Sequence, residues 1–134
     1  MAGTITVDTI KASSGVLATQ NGMKGIAKAW VQFAGSTATI AGSFNVSSIT
    51  RTSTGYYTVN FTTAMANINY TANVNVSGNG SVYAGACGVF NDTGGNAVAP
   101  TTSLFKFTTA ANGGSTTSIT VMDSPYVNVT VFGA

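Results

Sequence analysis

Asp8, Asp92 and Asp123 carry all the side-chain carboxylate chemistry open to this chain, which contains no glutamate and no histidine. Two such groups flanking a glycosidic bond could act as acid and base in glycoside hydrolysis, even across a subunit interface. Their sequence contexts suggest another use. Asp92 lies in Asn91-Asp92-Thr93-Gly94-Gly95, where its side chain can cap a turn, and Asp123 precedes Ser124-Pro125 in a second turn. Without histidine, Ser–His–Asp and Cys–His nucleophile systems are excluded. One cysteine and no histidine cannot form a zinc site of the usual nitrogen and sulfur type. The segment from Asn91 to Asn96 lacks the alternating oxygen ligands and distal glutamate of a calcium loop. No phosphate-cradling Gly-x-x-x-x-Gly-Lys pattern is present. The expectation is a protein with no catalytic residue, metal or cofactor.

Aromatic side chains are the remaining candidates for recognition, because a flat ring with a polar handle suits both a sugar face and a protein interface. Trp30 alternates out of phase with Ala29, Val31 and Phe33, which favours it as an interface anchor between subunits. Tyr56, Tyr83 and Tyr126 are the candidate surface-recognition residues, with a host surface glycan as the partner they would suit. Tyr56 and Tyr57 are adjacent, so only one of them faces a given side of a strand. Cys87, in Tyr83-Ala84-Gly85-Ala86-Cys87, reads as a small buried thiol. The five basic residues, Lys11, Lys24, Lys28, Arg51 and Lys106, are scattered and make no stripe able to displace counterions from nucleic acid.

The elements that must position these residues are strands. Tyr57, Val59 and Phe61 alternate with Thr58 and Asn60, and Tyr70, Ala72, Val74 and Val76 with Thr71, Asn73 and Asn75. Phe105 and Phe107 flank Lys106, Ile119 and Val121 flank Thr120, and Val127, Val129 and Val131 flank Asn128 and Thr130. Turn formers separate the runs, among them Ser53-Thr54-Gly55 and the glycine-rich segments near 78–80, 91–96 and 111–114. Short strands at this spacing predict an all-β fold, an antiparallel, jelly-roll-like β-sandwich, with at most one helical turn near 22–26. Residues 1–24 read as an extended N-terminal arm and 25–134 as the sandwich domain. The apolar Ile5, Val7 and Ile10 of the arm are expected to dock on their own domain or a neighbouring subunit.

Composition favours assembly over a free monomer. Charged residues make up 6% of the chain, against about 25% in ordinary soluble proteins. Thr, Ser and Asn fill the gap, at 47 of 134 residues, and lose little side-chain entropy on ordering. Low net charge weakens the repulsion that keeps neighbours apart. No apolar run approaches the roughly 20 residues of a membrane span, and the start shows no basic then apolar leader. No membrane insertion and synthesis in a reducing cytoplasm are expected.

Gly25–Phe33 (GIAKAWVQF), Ser43–Thr50 (SFNVSSIT) and Thr54–Met65 (TGYYTVNFTTAM) together resemble a known module. They are similar to the small β domains of tail-fibre and virion structural proteins of tailed bacteriophages that infect marine and freshwater bacteria. The lead-in Val7–Met23 shares the likeness, which covers most of the first 76 residues. The resemblance implies a homotrimer on the virion, either a tail-fibre module or a capsid decoration (cement) protein. Its other partners would be tail or major capsid proteins.

Overall fold

A computed structural model of the chain describes residues 26–78, 83–112 and 119–133, without the side chains of 83–87, 112 and 119. The expected arm, with Ile5, Val7 and Ile10, and most of the expected helical turn near 22–26 lie outside the described residues. Among the described residues nine strands follow in order: β1 Ala29–Ala34, β2 Thr39–Phe44, β3 Val46–Ser53, β4 Tyr56–Phe61, β5 Tyr70–Val76, β6 Tyr83–Val89, β7 Leu104–Asn112, β8 Ile119–Val121 and β9 Val127–Gly133. They form two antiparallel sheets, the β-sandwich expected from the alternation. One sheet has the order β2-β1-β9-β5; the other has β3-β4-β7-β6, with β8 also paired to β7. The chain changes sheet after β2, β4, β5 and β8, and its first and last strands lie side by side inside the four-stranded sheet.

The period-two residues place their apolar members between the sheets. Ala29, Val31 and Phe33 of β1 and Val127, Val129 and Val131 of β9 face Tyr57, Val59, Phe61, Phe105 and Phe107 of β4 and β7. Rings run the length of this core. Phe33 meets Tyr57 at 5.2 Å, Tyr57 meets Phe107 at 5.2 Å, and Phe107 meets Phe105 at 6.0 Å. Phe105 then meets Phe61 at 5.9 Å, and Phe61 meets Tyr70 at 5.7 Å. Each such pair adds about 1 kcal/mol beyond the area it buries. Tyr70 ends this series and Tyr57 stands next to its other end, so a phenol hydroxyl lies near each end. Tyr70 donates to the carbonyls of Thr101 and Leu104, and burial pushes its phenol up to about 12.

Alternation missed three strands. β2 and β3 edge their sheets and are mostly exposed, so neither face demands a regular apolar series. β6 is a run of small residues in which glycine and alanine hide the period. β7 also extends through Ala111 and Asn112, which the sequence suggested as a turn.

The corner between β2 and β3 depends on Asn45, held at φ 55°, a left-handed conformation that asparagine tolerates better than most residues. Its amide nitrogen donates to the carbonyls of Lys28 and Thr63, both at 3.1 Å, and its amide oxygen accepts from Thr63 N–H at 2.7 Å. One side chain thereby links the start of β1, the change of sheet and the β4–β5 connection. Asn45→Ala should lower stability by about 2 kcal/mol, because it removes these bonds and leaves a Cβ residue in the same conformation. Asn45→Gly should recover the backbone part of that loss. Urea midpoints at constant slope check both; an unchanged midpoint for Asn45→Ala would refute the account.

Candidate functional site

Asp123 does not cap its own turn, as its sequence context suggested, but gathers groups from distant segments. Arg51 donates to it through Nε at 3.0 Å and through Nη2 at 2.6 Å, the one ion pair among the described residues. The Gly55 N–H donates at 2.8 Å and the Tyr57 hydroxyl at 2.6 Å. Burial alone would push the Asp123 carboxyl up; the bonds from Arg51, Tyr57 and Gly55 outweigh it and hold the group below its ordinary value. Burial, and then the bond to Asp123, push the Tyr57 phenol far above its ordinary range.

The backbone around this carboxylate is crowded. Gly55 has φ 71°, and a Cβ there would lie 2.7 Å from the Thr109 carbonyl and 2.5 Å from Val121. At Gly35 a Cβ would meet the Ser124 carbonyl at 2.5 Å and the Tyr57 hydroxyl at 2.7 Å. Here β7 changes partner from β4 to β8: Thr109 N–H donates to Gly55, and its carbonyl accepts from Met122. Asp123 is therefore a structural anchor, with every donor above supplied by the protein.

Two outer faces remain for function. That of the four-stranded sheet belongs to strands with no charged residue at all. Trp30 is 43% exposed there, with Phe44 (56% exposed) across from it on β2 and Thr130 across on β9. The Trp30 ring lies over Gly42, within 3.5 Å of where a Cβ would stand. An amide row continues the face, with Gln32 donating to Asn128 at 3.0 Å and Asn75 across from Asn128 on β5.

The outer face of the five-stranded sheet carries a small cleft of about 90 Å³ beside Tyr56. Thr52, Thr58, Asn91, Asp92 and Lys106 contribute to its walls. Phe90 forms the approach by adopting φ 62°, an uncommon conformation for a bulky residue. Its ring offsets that strain by packing on Tyr70 at 6.1 Å and Phe105 at 5.9 Å. Asp92 then caps its own loop as expected, accepting from Gly94 N–H at 2.8 Å and Asn96 N–H at 2.9 Å. These bonds, the Asn96 ones foremost, hold its carboxyl below the ordinary value.

The aromatics singled out from sequence do not converge. Trp30 and Tyr56 point outward from opposite sheets, since their neighbours Val31 and Tyr57 are buried between the sheets. Tyr126, 63% exposed, stands immediately before β9, and the side chain of Tyr83 lies outside the described residues. Phe44, Arg51 and Lys106 were not singled out as site residues. Arg51 was the most inferable of these, because a chain with three acids and a single arginine offers few ways to neutralise a buried carboxylate. Phe44 gave no signal, since its position across from Trp30 follows from a pairing that includes a register shift. The chain matches no family model, no curated protein and no solved structure.

The anchor makes a prediction about acid. Because the native state holds Asp123 ionised below its ordinary value, the stability it contributes is complete above about pH 4 and is lost as pH falls through the lowered value. Asp92 acts in the same direction. Asp123→Asn should cost about 2 kcal/mol at neutral pH and reduce the decline below about pH 4, leaving the Asp92 part. Urea unfolding from about pH 2 to 7 reads both effects. An acid limb of the same steepness in the variant would refute the assignment.

Proposed function

We propose that this protein is a structural component of a bacteriophage virion, a homotrimeric β-sandwich that associates with copies of itself and carries out no catalysis. The observation that carries the reading is the charge-free four-stranded sheet with Trp30 and Phe44 exposed side by side. Such a face can be covered by protein without burying an unpaired charge, which would cost several kcal/mol. The sequence likeness to phage tail-fibre and virion domains points the same way. A tail-fibre module and a capsid decoration protein are the two sites of use it suits, with tail or capsid proteins as neighbours and the virion as its location. The protein donors around Asp123, and the loop donors that hold Asp92, suit support rather than proton transfer.

Size bears on how the trimer is held. Four strands about 4.8 Å apart and about 22 Å long present roughly 400 Å² of flat area. A stable interface buries about 800 Å² per partner. The sheet face therefore supports a weak complex alone, and residues 1–24, with Ile5, Val7 and Ile10, supply further apolar contact.

Light scattering on the full chain should give a trimer at about 10 µM, and deletion of residues 1–24 should dissociate it. Trp30→Ala should weaken association by about 2 kcal/mol, as for a central interface aromatic. A full-length monomer at that concentration refutes the assembly. Immunogold labelling of intact particles tests the location, and unlabelled particles would refute a virion role.

A further inference from the structure

The cleft beside Tyr56 is built from strands β3, β4 and β7 and from the loop that Asp92 stiffens. It lies on the sheet face opposite Trp30, so an occupant here leaves that other face free for assembly. Four features constrain its occupant. Tyr56 supplies an aromatic wall, and Thr58 stands across from Lys106 in the strand register. Lys106 and Asp92 line the same space yet form no ion pair within 4.0 Å, so a donor and an acceptor of opposite charge face a common gap. Asp92 Oδ1 is taken up by loop N–H groups, whereas Oδ2 has one protein partner, the Asn96 amide at 3.2 Å, and keeps accepting capacity. The loop is already fixed by these bonds, so a ligand would not have to order it.

We infer that this cleft is a subsite for one neutral pyranose unit of a surface saccharide, with the Tyr56 ring against the sugar face. Lys106 would donate to a ring hydroxyl and Asp92 Oδ2 would accept from the neighbouring one. The volume of about 90 Å³ equals roughly three water molecules, enough for one edge of a sugar ring and too little for a ligand of several rings. An anionic sugar would meet the Asp92 carboxylate and a cationic one the Lys106 ammonium, so charge balance favours a neutral polyol. A shallow site of this kind binds one unit weakly and reaches useful avidity only when several copies act together, as in a trimer.

The test is a nuclear magnetic resonance titration of the ¹⁵N-labelled full chain with N-acetylneuraminic acid as an anionic control and with four neutral probes. These are the methyl glycosides of glucose, mannose and galactose, and N-acetylglucosamine, each to about 50 mM. At least one probe should shift the amides of Tyr56, Thr58, Asp92, Thr93 and Lys106 together, with a millimolar Kd. Tyr56→Ala should weaken that binding about tenfold or more. Lys106→Met, at an exposed position, should do the same with an unchanged unfolding midpoint, which separates lost binding from lost folding. The inference is overturned if no neutral probe shifts these amides, or if the shifts cluster instead around Trp30 and Gln32. It is equally overturned if only N-acetylneuraminic acid binds, or if both variants bind as the parent does.

Discussion

In a protein so poor in charge, one carboxylate gathers much of the polar bonding at one end of the sandwich, that of Asp123. Its carboxylate accepts from the β3–β4 hairpin through Arg51 and Gly55 and from the aromatic column through Tyr57. The next residue, Ser124, accepts from Gly35 at the end of β1. The point where β7 exchanges β4 for β8 is thus bonded to both sheets, and both glycines beside it are there because no side chain fits. At the opposite end the demand is smaller and neutral, met by Tyr70 on two carbonyls and by the Asn45 amide. The apolar core between these ends is non-directional. The polar ends fix how the sheets are offset.

That arrangement leaves the two outer faces free to differ. One is amide, hydroxyl and aromatic with no charge; the other bears Lys106 and the loop around Asp92. The proposed packing through one side and binding through the other would use that asymmetry. Adjacent Tyr56 and Tyr57 show how closely the outer surface and the core are placed. One ring faces the cleft and its neighbour faces the core and Asp123.

Strands whose apolar residues meet a core on every second position were legible in the sequence, as at Tyr57–Phe61, Tyr70–Val76 and Val127–Val131. Edge strands β2 and β3 were not, because exposed Ser, Thr and Gly satisfy a strand without producing a period. The turn role of Asp92 was readable, since its partners lie within four residues. That of Asp123 was not, because its side-chain partners lie 66 to 72 positions away and only the fold joins them. The exposure of Trp30 followed from its phase in β1. The cleft at Tyr56 did not follow from local pattern, as it needs three strands and a left-handed Phe90 to form.

The absence of charge from the four-stranded sheet also bears on how contacts through it respond to salt. At the ionic strength of seawater the Debye length falls to a few ångströms, and contacts between exposed charges lose most of their strength. Contacts through Trp30, Phe44 and the Gln32–Asn128 amide pair contain nothing for salt to screen, and excluded salts strengthen apolar burial. A surface built this way holds in concentrated brine at least as well as in dilute. The one ion pair among the described residues, Arg51 with Asp123, is partly buried and is screened less than a fully exposed pair.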